Sequence, residues 1–224
     1  MEKRLIITGG SDGLGLKISE IFIDNGYDVV CLSRTKPKLK VTHIATDLTD
    51  EESVENAIST IKSKFSKFDF LVNCAGIMSV KPLNSTTLKE IDTVFRINVL
   101  SHMRIVSGLF DLIKANGADV VNVGSTVGFK AYENQTAYGS SKWAVRGFVE
   151  SLRLELKNTP CRVIGFYPGG FKSRITEKAT GVKGDLSAYM EPKYIAKVMF
   201  DALNLPKDME ISEIIINRKP KVSK

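Results

Sequence analysis

The chain has 224 residues, 43% of them hydrophobic, and a formal net charge of +7. That length buries one full core, so a single domain is expected over 1–217, followed by a basic tail at 218–224. No apolar run approaches the roughly 20 residues of a membrane span, which excludes a transmembrane protein of the helical kind. The three cysteines, Cys31, Cys74 and Cys161, lack metal-type spacing and lie in or beside apolar runs. They read as reduced, buried thiols of a cytoplasmic protein. His43 and His102 are too isolated to suggest a metal site. Met1-Glu2-Lys3-Arg4 runs straight into a strand and leaves no room for a signal peptide, which again points to the cytoplasm. The loop 34–40 (Arg34, Lys36, Lys38, Lys40) and the tail (Arg218, Lys219, Lys221, Lys224) hold eight positive charges, one more than the whole excess. A basic tail is ordinarily a solvated end, and no aromatic-studded basic surface accompanies it, so neither a nucleic-acid nor a membrane partner is expected.

Leu5-Ile6-Ile7 reads as a buried strand. The turn Thr8-Gly9-Gly10-Ser11-Asp12-Gly13-Leu14-Gly15 follows, and Leu14, Ile18, Ile21 and Phe22 then share one helix face. A strand, a glycine-rich turn and a helix can cradle a phosphate, because backbone N–H groups at the helix start and the positive end of its dipole meet the anion. The spacing Gly-x-x-x-Gly-x-Gly is not the generic Gly-x-Gly-x-x-Gly, and three glycines alone would also suit a merely structural turn. Gly26 ends the helix, and Tyr27 to Leu32 form a second strand. Val41 to Ala45 make a short third strand. Thr49 to Glu52 form a capping box for a helix through Val54, Ile58, Ile61 and Phe65. Phe68 to Val72 are a fourth strand, ending at Asn73-Cys74-Ala75-Gly76. A second capping box, Thr87 to Glu90, opens a helix running to about Lys114 with a bend near Asn98. Asp119 to Val123 form a fifth strand, ending at Gly124-Ser125. A helix starts at Tyr138 and carries Val145, Phe148, Val149, Leu152 and Leu156 on one face. Cys161 to Tyr167 are a sixth strand, broken by Pro168-Gly169-Gly170. Residues 171–190 suit a mobile loop with a short helix, Pro192 fits the first turn of a last helix, and Ile211 to Ile216 form a seventh strand.

This alternation predicts an α/β fold, a doubly wound, mostly parallel seven-stranded sheet with helices on both faces. Ligands of such sheets sit beyond the carboxyl ends of the strands. The clusters 8–15, 33–34, 73–76, 124–125 and 167–170 all fall there.

Tyr138 and Lys142 stand four residues apart, neighbours on one helix face and roughly 6 Å apart along the axis. At that distance, with an effective dielectric near 20, the lysine charge favours the phenolate by roughly 2–3 kcal/mol. That lowers the tyrosine pKa from about 10 by about two units, toward a usable acid–base catalyst.

With these residues in this order, the chain resembles the short-chain dehydrogenase/reductase family, single-domain nicotinamide-dependent oxidoreductases with a Rossmann-like fold. Thr8, Gly9, Gly13 and Gly15 match its glycine motif, and Asn73, Ala75 and Gly76 its Asn-x-Ala-Gly motif. Asn98, Ser125, Tyr138 and Lys142 match its active-site tetrad, and Pro168-Gly169 its motif after the sixth strand. The resemblance implies that Tyr138 exchanges a proton with the carbonyl or alcohol oxygen, and that an oxidised nicotinamide favours its phenolate too. Lys142 would hold the nicotinamide ribose and Ser125 would hydrogen-bond the substrate oxygen. Asn98 would bend its helix and position a water linking Lys142 to solvent. Ser125 also fits a strand-end turn hydroxyl, and Asn98 a polar group at a kink.

The cofactor would be held by Gly9, Ser11, Gly13, Leu14, Gly15, Asn73, Ala75, Gly76, Tyr138, Lys142, Pro168, Gly169, Phe171 and Ser173. Asp47 and Leu48 resemble the family's adenine-contacting pair, although Asp47 equally suits a helix start. Ser33-Arg34, followed by Lys36 and Lys38, suits a 2′-phosphate better than a ribose hydroxyl, so NADP(H) is expected over NAD(H). Asp12 argues the other way, since some NADP-dependent relatives carry a basic residue there. Cys74 and Phe171 depart from the family pattern; Cys74 is expected only to pack. The expected function is an NADP-dependent carbonyl/alcohol oxidoreductase with a small-molecule substrate. A regulatory or redox-sensing protein that binds NADP(H) without turnover is the alternative. Residues 77–86 and 171–190 would line a partly apolar substrate pocket with Met78, Val80, Phe171, Ile175 and Met190. The resemblance also implies a homodimer or homotetramer packed through helices at 100–115 and 138–157, whose apolar residues equally suit the monomer core.

Overall fold

The computed structural model describes residues 3–219. The strands are β1 (Arg4–Thr8), β2 (Asp28–Ser33), β3 (Thr42–Ala45), β4 (Phe70–Asn73), β5 (Asp119–Val123), β6 (Val163–Pro168) and β7 (Glu213–Ile216). They form one sheet in the order β3-β2-β1-β4-β5-β6-β7, with every pairing parallel. The helices are α1 (Gly13–Asp24), α2 (Glu51–Lys64), α3 (Leu88–Phe95), α4 (Ser101–Gly108), α5 (Phe110–Asn116), α6 (Thr136–Glu155), α7 (Ile175–Thr180) and α8 (Pro192–Leu203).

The central strands are apolar end to end because the sheet is covered on both faces. Side chains alternate strictly along them. Leu5, Ile7, Val29, Cys31, Phe70 and Val72 meet α1 and α8 in one core. Ile6, Val30, Leu32, Leu71 and Val120 meet α2, α4, α5 and α6 in the other. Strand order reverses between β1 and β4, so a crevice opens where their carboxyl ends diverge. The glycine turn leaves β1 at this point, and Asn73–Gly76 leaves β4 beside it. The doubly wound parallel architecture is as expected, with strand ends shifted by one or two residues.

Two local expectations need correction. The capping box at Thr49–Glu52 does not form. The Thr49 backbone N–H and hydroxyl both donate to Asp47 Oδ1 (2.9 and 2.7 Å), and α2 begins two residues later with Asp50 at its N-cap. An aspartate that captures donors two residues on competes with the cap. The box at Thr87–Glu90 does form. The helix expected from Thr87 to Lys114 is divided into α3, α4 and α5. A π turn at Arg96–Leu100 marks the bend placed at Asn98, and an interruption at Leu109 separates the other two.

At the amino-terminal end of the sheet, the fully buried Asp119 carboxylate accepts from Arg162 Nε and Nη2 (3.1 and 2.7 Å) and from Lys207 Nζ (2.5 Å). Arg162 Nη2 also donates to the Leu203 carbonyl (3.0 Å). The chain's main buried charge pair is therefore at the opposite end of the sheet from the crevice.

Candidate active site

The glycine turn is shaped by contacts that exclude side chains. A Cβ on Gly15 would collide with the Gly9 carbonyl. Gly13 has φ +54°, a left-handed conformation that favours glycine, and nothing lies within 4 Å of where its Cβ would stand. This leaves free space beside the start of α1, which fits a phosphate. Thr8 Oγ1 accepts from the N–H groups of Cys74 and Ala75 (both 3.1 Å), locking this turn to the one after β4. Ser11 is half-buried in the turn, and Leu14 packs into the core below it.

At the end of β2, Ser33 is buried and its hydroxyl donates to the Thr35 carbonyl (2.8 Å). Arg34 is exposed. The Asp47 carboxyl is held below the usual carboxylate range, first by its hydrogen bonds from Thr49 and also by the nearby Arg34 charge. Of the expected adenine pair, Asp47 is thus engaged at the approach to α2, and Leu48 is buried in the core. Asn73 is buried inside the sheet, where its Nδ2 donates to Asn122 Oδ1 (3.0 Å) across the β4–β5 register and its own Oδ1 has no hydrogen-bond partner among the described residues.

The four expected catalytic residues do come together. Asn98 is fully buried in the π turn. Its Oδ1 accepts from the Ile77 N–H (2.8 Å), and its Nδ2 donates to the Ile77 carbonyl (2.9 Å) and Ser141 Oγ (3.0 Å). Ser141 donates onward to the Tyr138 carbonyl (2.6 Å), so the bend of one helix is fastened to the first turn of α6. Lys142 Nζ donates to the Val123 carbonyl (3.1 Å) at the end of β5 and stands 5.8 Å from the centre of the Tyr138 ring. A Cβ on Gly76 would lie 3.4 Å from both Asn98 Oδ1 and Lys142 Nζ. The turn after β4 thus runs beside both side chains. Ser125 follows β5, and its Oγ accepts from the Val127 N–H (3.2 Å).

The electrostatics differ from the expectation. Burial raises the Tyr138 pKa above its ordinary value, and contact with the Ser125 hydroxyl offsets this only in part. The cause is the desolvation of the phenol itself. Lys142 is desolvated as well, and burial pushes its pKa down to about 8. Sequence spacing gave the Tyr–Lys separation but could not supply the desolvation of both groups.

Two contributors were not anticipated. Ser141 is one, and His102 the other. His102 sits one turn after Asn98, fully buried, with Nε2 3.1 Å from the Ala75 carbonyl. Burial holds its pKa down to about 3, so it is neutral and donates Nε2–H to the turn after β4. A spacing of four from Asn98, and of three from Tyr138 for Ser141, was the available signal. Cys74 packs against the α1/α8 core, and burial pushes its thiol up to about 12.

Beyond β6, the Gly169 N–H donates to the Ile216 carbonyl (2.8 Å). Phe171 bridges to Met190 and packs on the same core. Ser173 Oγ accepts from the Ile175 N–H (3.4 Å) at the start of α7. Arg218 stacks on Tyr189, 4.9 Å from the ring centre, and the rest of the expected tail, 220–224, lies outside the described residues. Among the described residues no helix is long and apolar enough to cross a membrane, and no three metal-ligating side chains converge.

Known proteins resemble the whole chain. Carbonyl reductase family member 4 of Danio rerio is 29% identical over 220 residues, covering 92% of this chain and 93% of its own. An alcohol dehydrogenase of the archaeon Thermococcus sibiricus, solved with 5-hydroxy-NADP, superposes with a TM-score of 0.88 at 23% identity, covering 99% of this chain and all of its own. An oxidoreductase from Brucella ovis, solved with a partially ordered NAD, gives 0.80 at 26% identity, covering 97% and 100%. The family model for short chain dehydrogenases matches residues 3–183, the span that holds the glycine turn, the Asn-x-Ala-Gly turn and all four tetrad residues, and the chain belongs to that family.

Proposed function

We propose that the protein is an NADP(H)-dependent oxidoreductase that interconverts a carbonyl and an alcohol, with Tyr138 as the acid–base residue. The observation that carries this reading is the convergence of Tyr138, Ser125, Lys142 and Asn98 beside Gly76, next to the open first turn of α1. A bound nicotinamide dinucleotide would supply the hydride and, when oxidised, a positive charge near the phenol. In reduction, the Tyr138 O–H gives its proton to the carbonyl oxygen as the carbonyl carbon gains hydride. In oxidation, the phenolate takes the proton back from the alcohol. The Ser125 O–H donates to the same oxygen and stabilises its developing charge. Lys142 would hold the ribose hydroxyls of a bound dinucleotide, and Asn98 fixes the turn after β4 beside it. A phenol raised by burial keeps its proton near neutral pH, the form that donates to a carbonyl oxygen.

Ser33 and Arg34 support NADP(H), since an exposed guanidinium at the end of β2 suits a 2′-phosphate and no acidic side chain ends that strand. Met78, Val80, Ile175 and Met190, all half-buried, support a small, partly apolar substrate. A groove of about 1250 Å³ between α2, α4, α5 and α6, lined by Ile58, Met103, Phe110, Phe148 and Leu152, supports assembly into a homodimer or homotetramer.

A panel of carbonyl compounds assayed with NADPH tests the reading through Tyr138→Phe. Turnover should fall by about a thousandfold or more while NADPH affinity changes little. Preserved turnover would refute the role of Tyr138. NADPH binding with no turnover of any carbonyl in the unaltered protein would point to a redox-sensing binder.

A further inference from the structure

Asp12 is the acidic residue that sits uneasily in a phosphate cradle, and the structure shows where its charge goes. It is the N-cap of α1, and Oδ1 accepts from the Gly13 N–H (2.8 Å). Oδ2 accepts from two cations on a distant part of the chain, Arg174 Nη2 (2.9 Å) and Lys178 Nζ (2.7 Å). Burial alone would push this carboxyl up, but the bonds from Lys178, Arg174 and the Gly13 N–H hold it below its ordinary value.

One carboxylate therefore bridges the first amide of α1 and two cations at the α7 helix. A phosphate oxygen offers the same acceptor chemistry to those donors. The trio carries one negative and two positive charges, so the cradle keeps a net charge of +1 with Asp12 in place. The two cations are on an otherwise loosely attached element. No α7 side chain is buried. Among the described residues, the hydrogen bonds that join 174–180 to the body of the protein run to Asp12. The segment is fixed at its base by the Lys172 N–H to the Met190 carbonyl (2.9 Å) and by the Phe171–Met190 bridge. Beyond α7 the chain turns at Gly181, with φ +71°.

We propose that Arg174 and Lys178 are phosphate ligands of the dinucleotide, carried on the segment 171–190 and held over the glycine turn by Asp12 as a positioning residue. This rests on the reading that the protein binds a nicotinamide dinucleotide. On this account Asp12 does not oppose NADP(H); it recruits the positive charge that the glycine turn itself lacks.

The test is NADPH and NADH binding, followed by the cofactor's fluorescence at low and high ionic strength, for the unaltered protein, Asp12→Asn and the double variant Arg174→Gln/Lys178→Gln. Asparagine caps a helix about as well as aspartate, and both cations are largely exposed, so the variants fold. The double variant should weaken NADPH by about 10-fold and flatten the salt dependence, and Asp12→Asn should weaken it by about 3-fold. Asp12→Asn added to the double variant should cost nothing further. Equal factors for NADPH and NADH assign the pyrophosphate; a loss confined to NADPH assigns the 2′-phosphate. Limited trypsin digestion gives a readout free of turnover: NADPH should protect Lys172–Lys183 in the unaltered protein and not in Asp12→Asn. Tighter NADPH binding by Asp12→Asn, or unchanged binding by the double variant, overturns the inference alone. Failure of the unaltered protein to bind either nucleotide overturns the inference and the proposed function together.

Discussion

Replacing Lys142 by methionine should make the protein more stable near neutral pH while removing its turnover. The ammonium is 4% exposed and has one hydrogen-bond acceptor, the Val123 carbonyl. Burial takes its pKa from an ordinary 10.5 to about 8. Between those values, that difference amounts to about 3 kcal/mol against the folded state whenever the group is charged in both states. Losing the bond to Val123 costs about 1 kcal/mol, so Lys142→Met should gain about 2 kcal/mol at neutral pH. The sign with pH follows from linkage. Below pH 8 the lysine is protonated folded and unfolded, and the whole penalty is present. From pH 8 to 10.5 the unfolded chain binds the extra proton, so the native protein gains stability and the advantage of the variant shrinks. Urea unfolding of both proteins from neutral pH to about pH 9.5, read as a difference, cancels every other titrating group. A variant less stable than the parent at neutral pH, or a difference that does not change with pH, would refute the burial argument.

Arg34→Ala should weaken NADPH binding by 10-fold or more, about 1.4 kcal/mol, and leave NADH nearly unchanged; equal losses would show that Arg34 does not read the 2′-phosphate. At the other end of the sheet, Arg162→Ala leaves the buried Asp119 carboxylate with Lys207 as its one cation, beside the backbone N–H of residue 162, and should cost about 3–5 kcal/mol. Denaturant melts would detect it, and a loss below about 1 kcal/mol would mean that the pair is dispensable. Cys74 should resist thiol-directed reagents in the native protein near neutral pH, because burial holds its thiol up to about 12. Rapid labelling of Cys74 before unfolding would show that the turn after β4 opens.

What was legible in the sequence was whatever local chemistry decides alone. Apolar runs set the strands, and Gly13 and Gly15 marked a turn whose backbone a side chain would strain or block. The Thr87–Glu90 cap formed because no neighbour competed for its donors. At Thr49 a competitor existed, Asp47, and the same four-residue pattern failed. Long-range effects were not legible. Nothing near position 12 announces that its partners lie 162 and 166 residues later. Nor does the local sequence at Asn73 and Leu48 show that their side chains pack in the sheet and the core.

The same distinction bears on how the site is held. Tyr138 and Lys142 are fixed relative to each other by one helix, but a competent site also needs them fixed against the turn after β4. That job falls to residues with no reacting atom. Asn98 clamps the backbone of Ile77 on both its N–H and its carbonyl, Ser141 ties Asn98 to α6, and His102 holds Ala75. All three are fully buried, so each hydrogen bond works without competition from water. The widened π turn is what lets Asn98 point at Ile77 and Ser141 together, while α4 resumes in register to present His102 one turn later. The bend at Asn98 is therefore a positioning device in its own right, built from backbone geometry and the hydrogen bonds of one amide.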